Sequence, residues 1–282
     1  MITETGVICA GTIVTDYVAV VDRWPAENSL ANIYHQIKTG GGGPFNIIKD
    51  LRLIDKNLPL SIVGLLGNDD NGQWLINDCK KSNIDTDQLH IIDDNTPTSY
   101  TYKQLLISLV YIHNPLYSKI AQLTLPFVDH LILNEIEIGL ILNQSFQQGT
   151  ISQIEQAARI LIENYGIQRT VTVHFDCGAV CVSRENNLNI ECFYQGSLYL
   201  PQGYIKSAVG TGDAFAAGII YGIYKNWSIQ ERLRCGICVA AMCLKDLTSY
   251  GGVGTIEECL QLKEAFCFRT LELTSSIHDI EN

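Results

Sequence analysis

Apolar residues along the chain follow two spacings in turn, and the change of spacing predicts where strands and helices lie. The near-continuous run over residues 6–14 is typical of a strand that is buried on both faces. Apolar positions every three or four residues, as over residues 151–165, predict amphipathic helices. The predicted strands are 6–14, 60–66, 89–92, 98–107, 128–133, 170–175, 179–183 and 188–194, and the predicted helices are 45–54, 73–82, 151–165, 212–224, 229–246 and 256–268.

One segment near the start departs from this alternation. Residues 16–38 contain short alternating pieces around a turn at residues 24–28, which predicts an exposed hairpin beside the main sheet. Elsewhere, strands alternate with helices of ten or more residues, and this order indicates βαβ units and a largely parallel sheet.

Composition and charge exclude several classes of protein. The chain has 282 residues, of which 46% are hydrophobic and 17% are charged, so it can bury a large core. Nineteen Lys and Arg against thirty Asp and Glu give a net charge of −11, which argues against binding to nucleic acid or to an anionic membrane surface. A small anionic ligand stays possible, because backbone N–H groups can hold it.

Neither export nor disulfide bonding is expected. An acidic residue, Glu4, stands where a signal peptide would carry Lys or Arg, and the apolar runs are far shorter than the roughly 20 residues of a membrane span. The ten cysteines are scattered. The C-x-x-C pair Cys235 and Cys238 lies in a predicted helix without a second ligand pair, so we expect buried, reduced thiols and a cytoplasmic protein.

Residues 208–218 carry the strongest chemical signal in the sequence. Gly210 and Gly212 permit a tight turn that exposes N–H groups at the start of a helix, and such groups bind anions. Asp213 would repel a permanently bound phosphate, so we interpret it as the acceptor of a proton from an attacking hydroxyl. The alternative is a common glycine-rich helix start with an Asp cap. A dinucleotide fingerprint is excluded, because the third glycine, Gly218, comes too late.

Polar residues near the first strand are candidates for binding a ligand. Asp16 follows that strand, although it could equally be a turn residue. Residues 40–43 are all glycine, and with Asn46 they predict either a ligand loop or a simple loop and helix cap.

A second group of candidates lies in the middle of the chain. Asn134 and Glu137 come just past a predicted strand, where open α/β sheets bind ligands, and their oxygens suit Mg²⁺. His174 lies on an apolar strand and is interpreted as a core or nucleotide-edge residue rather than a base.

Several of these segments together resemble the PfkB/ribokinase-like carbohydrate kinases. Gly210, Gly212, Asp213 and Phe215 match the family signature D-T-x-G-A-G-D-x-F, whereas Ser207, Ala208 and Thr211 replace its Asp, Thr and Ala. The other matching segments, in family order, are Asp16 (the sugar-binding Asp), 41–46 (G-G-x-x-x-N), 64–72 (G-x-x-G-x-D-x-x-G), 98–101 (a lid strand) and 134–137 (N-x-x-E).

The resemblance implies a fold and a reaction. The expected fold is α/β, a ribokinase-like three-layer sandwich with a mostly parallel central sheet and a small β-lid. It would form one domain over residues 1–282, with lid strands at about 16–38 and 89–107. The implied reaction moves the γ-phosphoryl of ATP to a hydroxyl of a sugar or a related small molecule.

The resemblance also assigns roles to individual residues. Asp213 would be the general base, and Gly210, Thr211 and Gly212 would supply amides to the transferred group. The implied acceptor residues are Asp16, Gly41, Gly42 and Asn46, and the implied nucleotide residues are Asn134, Glu137 and Gly252, the first two binding Mg²⁺ through water. ATP and Mg²⁺ are the implied cofactors, K⁺ is left open, and a homodimer through the exposed lid is expected.

One stretch departs from the family pattern. Only 26 residues, 102–127, separate the start of the lid strand from the strand at 128. A crossover alone takes about a dozen residues, so a βα unit is expected to be missing. The alternative function is therefore a pseudokinase that binds a nucleotide or a sugar without turnover, and a Rossmann oxidoreductase is a more distant one.

Overall fold

The computed structural model describes residues 6–22, 31–93, 96–104, 117–184 and 189–278. The chain divides into two compact units. Unit 1 consists of Met1–Leu109, Gln202–Ala217 and Val239–Cys259, and unit 2 consists of Val110–Pro201, Gly218–Cys238 and Leu260–Asn282. The single domain expected over residues 1–282 stays a prediction.

The helices and strands follow the order that the apolar spacing predicts, with two additional helices. The strands are β1 (Val7–Ala10), β2 (Val14–Val21), β3 (Ile33–Gly41), β4 (Leu60–Gly67), β5 (Asp85–Ile92), β6 (Tyr100–Gln104), β7 (His130–Asn134), β8 (Thr170–Phe175), β9 (Gly178–Ser183) and β10 (Glu191–Gly196). The helices are α1 (Gly43–Ile54), α2 (Asp70–Lys81), α3 (Tyr117–Thr124), α4 (Glu135–Leu142), α5 (Ile151–Asn164), α6 (Thr211–Tyr224), α7 (Ile229–Cys243) and α8 (Ile256–Ala265).

Unit 1 contains two three-stranded sheets. The first is parallel, with the order β1-β4-β5, and α1 packs on it through the buried side chains of Phe45, Ile48 and Leu51. The second has the order β3-β2-β6, in which β2 and β3 are antiparallel. The hairpin predicted over residues 16–38 is therefore confirmed, although its turn at residues 24–28 lies outside the described residues.

Two predictions for unit 1 are corrected. The strand predicted over residues 6–14 ends at Ala10, because Gly11 has a φ of +143° that breaks the run before β2. Ile8 is 69% exposed rather than buried, and burial alternates along β1, so one face of this strand is uncovered within the described residues. Residues 89–92, assigned above to the lid, belong to β5 and pair with β4 in the parallel sheet.

The short stretch before β7 is only partly described. Residues 105–116 lie outside the described residues. The described part, residues 117–127, holds α3 and the short 3-10 helix Leu125–Phe127 and contains no strand. The missing βα unit therefore stays a prediction.

Unit 2 is built on a four-stranded sheet with the order β10-β9-β8-β7. Strands β7 and β8 are parallel, whereas β8, β9 and β10 form an antiparallel meander, so the sheet is less parallel than the sequence predicted. Helix α5 covers β8 and β9 with its apolar face, which includes Ile154 and Leu161. The residue spacing thus predicts α5 correctly, and this helix forms the centre of the core of unit 2.

Candidate active site

The first turns of α1 and α6 are joined by one hydrogen bond in unit 1. Asn46 lies in the first turn of α1, and its Nδ2 donates to Asp213 Oδ2 in the first turn of α6 at 2.8 Å. Asn46 Oδ1 in turn accepts from Ser249 Oγ at 2.8 Å. The amide of Asn46 therefore has a fixed orientation, and its donating side faces the Asp213 carboxylate.

A glycine with positive φ shapes the loop before α6. Gly210 has a φ of +79°, and a Cβ at this position would lie 2.2 Å from the Ser249 carbonyl oxygen, so only glycine fits. The first helical bond of α6 runs from the Ala214 amide to the Gly210 carbonyl at 2.8 Å. The amides of Gly212 and Asp213 precede it in the first turn, where helix N–H groups and the helix dipole favour an anion. Thr211, the remaining residue predicted for this loop, begins the helix, and its hydroxyl is buried.

The acceptor residues predicted from the sequence meet at the ends of β2 and β3. A Cβ on Gly41 would lie 2.1 Å from Asp16 Oδ2, so the Asp16 carboxylate is in direct contact with a bare backbone. Gly42 has a φ of +87° and would meet the Thr12 carbonyl oxygen at 2.2 Å if it carried a Cβ. Asp16 itself is only 1% exposed, so its contact with an acceptor stays a prediction.

The loop between α7 and α8 supplies residues that the sequence analysis assigned differently. Gly252, which the resemblance assigns to the nucleotide and would place near adenine, packs beneath the Met242 carbonyl oxygen. Ser249 instead bonds to Asn46, and Tyr250 accepts a hydrogen bond from Thr39 Oγ1 at 3.0 Å and packs against Phe45. A lone Ser in a glycine-rich loop gave no signal that could have identified this contact. The adenine assignment of Gly252 stays a prediction.

In unit 2, Asn134 and Glu137 bond to each other's backbone at the start of α4. Asn134 Oδ1 accepts from the amides of Ile136 (3.0 Å) and Glu137 (2.8 Å), and Glu137 Oε2 accepts from the Asn134 amide at 2.9 Å. This arrangement is a capping box, which satisfies helix N–H groups reciprocally. Glu137 Oε1 stays outside the box. The pair therefore fits Mg²⁺ through water, with one carboxylate oxygen, rather than by direct coordination from Asn134.

Burial controls the charge of the titratable groups at this end of unit 2. Desolvation raises the pKa of Glu137, and the Asn134 amide partly offsets the effect. Desolvation also raises the pKa of Glu135, which the nearby charge of Asp176 raises further. The pKa of His174, which pairs with Asn134 across β7 and β8, falls to about 4 through desolvation. His174 is thus neutral at pH 7 and cannot act as a strong base, which fits the core role assigned to it.

The cysteines, possible metal clusters and possible membrane-spanning helices are further features that could bear on function. All ten cysteines are free, eight of them are buried, and desolvation raises the pKa of Cys79 to about 12, so its thiol stays protonated. No three His, Cys, Asp or Glu side chains converge as metal ligands within the residues that the structure describes. Along the same described stretches, no helix has both the length and the apolar composition needed to cross a bilayer.

The candidate residues thus fall into two sets. Unit 1 brings together the residues predicted for the acceptor, the base and the anion loop, and it also contains Gly252. Unit 2 brings together Asn134 and Glu137. In unit 1 the arrangement joins an oriented carboxylate to a helix N-terminus, which can accept a proton beside developing negative charge.

Solved structures share this fold over nearly the whole chain. The chain is similar to Arabidopsis thaliana ribokinase complexed with ribose and ATP, at 18% identity and a TM-score of 0.71, covering 91% of this chain and 98% of that one. It is also similar to Cryptococcus neoformans ribokinase in complex with ADP, at 17% identity and a TM-score of 0.68, covering 90% and 98%. It is similar as well to Burkholderia thailandensis nucleoside kinase in complex with inosine, at 13% identity and a TM-score of 0.70, covering 93% of this chain and 99% of that one. The predicted ribokinase-like α/β fold is confirmed.

Sequence comparison gives the family. No curated protein sequence matches the chain at a significant level. Residues 109–252, about half of the chain, match the sequence model of the pfkB family carbohydrate kinases. This match includes the glycine loop and Asp213 as well as Asn134 and Glu137, so the resemblance drawn from those residues is confirmed. The chain therefore belongs to the pfkB family of carbohydrate kinases.

Proposed function

We propose that the protein transfers the γ-phosphoryl group of ATP to a hydroxyl of a sugar or a nucleoside. Membership of the pfkB family supports a sugar acceptor, and the similarity to a nucleoside kinase supports the nucleoside class. The observation that carries the proposal is the 2.8 Å hydrogen bond from Asn46 to Asp213, because it joins the two glycine motifs of the chain at one carboxylate.

Asp213 is the general base in this proposal. Its carboxylate accepts the proton of the acceptor hydroxyl while the hydroxyl oxygen forms a bond to the γ-phosphorus. The bond from phosphorus to the bridging oxygen breaks, and ADP leaves with that electron pair. Asn46 Nδ2 donates a hydrogen bond to Asp213 Oδ2, whereas a Cβ built on Gly43 would lie 3.4 Å from Asp213 Oδ1. Glycine at position 43 therefore places no side chain against Oδ1.

The first turn of α6 stabilises the transferred group. The amides of Gly212 and Asp213 lie at the N-terminus of this helix, and the positive end of the helix dipole adds to them, whereas the Thr211 amide donates to the Ala208 carbonyl at 3.3 Å. This stabilisation needs no surplus of Lys or Arg, which agrees with the net charge of −11.

Asn134 and Glu137 are the residues proposed to bind Mg²⁺. Glu137 Oε1 and the Asn134 side chain are the groups that would hold the water shell of Mg²⁺, and the ion would neutralise charge on the triphosphate. Glu137 must then be ionised, although its burial raises its pKa, so the proposed site favours a cation nearby. A requirement for K⁺ stays a prediction.

Ribose is the feature that the two acceptor classes have in common. The similar structures contain ribose in one case and inosine, a ribonucleoside, in another. We propose that Asp16, Gly41, Gly42 and Asn46 orient such hydroxyls in this chain, because Asp16 contacts Gly41 and Asn46 bonds to the proposed base within the same unit.

A homodimer through the lid sheet is part of the proposal. Ile33 and Tyr34 on β3 and Tyr100 on β6 are exposed apolar side chains, which supports association of this sheet with a second copy. Sedimentation equilibrium decides it, since a monomer at micromolar concentration would contradict the dimer.

An acceptor screen tests the function. Purified protein is incubated with ATP, Mg²⁺ and K⁺ and with separate pentoses, hexoses and nucleosides, and both ADP and the phosphorylated product are measured. The proposal predicts acceptor-dependent ADP formation matched by equal product. Thermal stabilisation by ATP without product from any acceptor would support the pseudokinase alternative instead, and stabilisation by NAD but not by ATP would support an oxidoreductase.

A further inference from the structure

A second carboxyl group lies behind the candidate base. Asp50 is on α1, one helical turn after Asn46, and its side chain is fully buried. Among the described residues, neither oxygen of Asp50 has a hydrogen-bond partner. Residues four apart on a helix lie on the same face, so Asp50 follows Asn46 into the interior of unit 1.

The adjacent cation does not compensate this carboxyl. Lys49 directs its ammonium group to Asp78 at 2.9 Å and to Ser82 Oγ at 2.5 Å, and it packs over the rings of Phe45 and Tyr250. The groups that interact electrostatically with Asp50 from the neighbouring helices are Asp213 on α6, Cys243 on α7 and Cys259 on α8. A carboxyl or thiol group is neutral when protonated and negative when deprotonated, so none of these three groups supplies a positive charge to Asp50.

Burial without a partner is expensive for an ionised carboxylate, so the group keeps its proton instead. Desolvation first, and then the negative charge of Asp213, raise the pKa of Asp50 well above its usual range. A buried polar group without a partner needs an explanation, because a leucine of similar size would fill the same space at lower cost.

We propose that Asp50 is a positioning residue for phosphoryl transfer, and that Asp50 and Asp213 together hold a single proton, which resides on Asp50 behind the face of α1 that carries Asn46. The inference rests on the proposed function of Asp213. With one proton on the pair, Asp50 is neutral and Asp213 carries the single negative charge that accepts the hydroxyl proton. Loss of the second proton puts another negative charge behind the anion loop and opposes the arriving triphosphate. Phosphoryl transfer therefore has an upper pH limit set by Asp50.

Thermal unfolding tests the shared proton without any assay of activity. The unfolded chain loses the Asp50 proton near pH 4, whereas the folded chain keeps it, so the stability of the wild type falls as the pH rises until Asp50 ionises in the folded state. Asp50→Asn removes this cost. The melting temperature of the variant minus that of the wild type should therefore rise with pH, by about 2–4 °C per pH unit from pH 4.5.

Three further variants sharpen the thermal test. Asp87→Asn removes an exposed carboxylate on β5 of the same unit and should give a difference that does not change with pH. In an Asp213→Asn background the neighbouring negative charge is gone, so Asp50 ionises at a lower pH in the folded chain. The melting-temperature difference produced by Asp50→Asn should therefore stop rising at a lower pH. Asp50→Leu should reproduce the trend if the asparagine variant folds poorly.

Kinetics test the positioning role. Above the pH at which Asp50 ionises in the folded wild type, kcat/KM for ATP should fall about tenfold per pH unit, and Asp50→Asn should lack this decline. A merely structural aspartate would change the rate equally at every pH.

The outcomes separate this inference from the proposed function. A melting-temperature difference that is flat with pH, or a plateau unmoved by Asp213→Asn, would overturn the shared proton. Equal pH profiles in wild type and variant would overturn the positioning role while leaving Asp213 as the base. Absence of product from every acceptor would overturn the proposed function, and the thermal measurements would still decide whether the two carboxyl groups are coupled.

Discussion

The two sets of candidate residues use an asparagine and a carboxylate in different ways. In unit 1, Asn46 and Asp213 are 167 positions apart in sequence, and their side chains meet at 2.8 Å. In unit 2, Asn134 and Glu137 are three positions apart, and each side chain bonds to the backbone of the other. Helix capping explains the second pair completely, but it does not explain the first.

The difference shows which contacts are evidence of function. A capping box forms wherever Asn and Glu stand at the right spacing, and it stabilises a helix whether or not a ligand binds. A hydrogen bond between the starts of two helices from distant parts of the chain fixes a carboxylate beside a helix N-terminus, and helix stability does not require it. The chemistry of unit 1 is therefore supported by geometry, whereas that of unit 2 depends on family membership.

Replacing each asparagine by alanine gives the largest expected contrast. Asn46→Ala leaves the buried Ser249 hydroxyl and Asp213 without their partner, which should lower the free energy of unfolding by about 2–4 kcal/mol. It should also lower kcat by about 10- to 100-fold, because the base loses its orientation. Asn134→Ala removes an N-cap and should cost about 1 kcal/mol. Denaturant titration and steady-state kinetics measure both effects.

Equal losses of kcat in these two variants would contradict the distinction between the pairs. A control is Asn143→Ala, which changes an asparagine at the C-terminal end of α4 with a φ of 55°. It should leave kcat unchanged and cost about 1 kcal/mol, because alanine tolerates the left-handed region poorly.

The pH dependence of stability tests whether unit 2 contains a rival base. The pKa of His174 is lowered to about 4 in the folded chain, below the value near 6.5 expected when it is unfolded. The unfolded state therefore binds the proton first, and stability is lost as the pH falls from 6.5 towards 4. His174→Gln should remove about 3 kcal/mol of this acid sensitivity. Urea unfolding at pH 4.5 and pH 7.5 measures it, and an unchanged pH dependence would show that the imidazole is not desolvated.

Glu137→Gln separates capping from metal binding and has the smallest expected effect. The side-chain oxygen of glutamine can still accept the hydrogen bond from the Asn134 backbone amide, so the free energy of unfolding should change by less than about 1 kcal/mol. The charge beside the proposed Mg²⁺ is lost, and kcat/KM for ATP should fall about tenfold. Kinetics at several Mg²⁺ concentrations check this result. Unchanged values would leave Glu137 as a capping residue alone.

Regular periodicity made much of the fold predictable, and the exceptions have physical causes. Strand β8 and helix α5 were predicted within one residue, because their apolar spacing is clear over the whole element. Helix α4 was missed since its sequence, EIEIGLIL, begins with alternating Glu and Ile and continues with apolar residues, so it has no helical stripe. The single strand predicted over residues 6–14 was wrong because the backbone at Gly11 cannot be read from apolar spacing.

The candidate site was predictable only where residues belong to motifs. Asp213 and Asn46 were found because each lies in a glycine-rich segment, whereas their hydrogen bond with Ser249 depends on tertiary packing. Asp50 was missed, since one carboxylate inside a helical pattern is normally a solvated residue and only its burial in the folded chain makes it unusual.

The measurement that tests the account most directly is the rate of acceptor-dependent ADP formation by Asp213→Asn. The substitution keeps the shape of the side chain but removes the proton acceptor, so kcat should fall by about 100-fold or more. The melting temperature should not fall, because a half-buried negative charge near Asp50 is lost. A variant that turns over at the wild-type rate would contradict the assignment of Asp213 as the base.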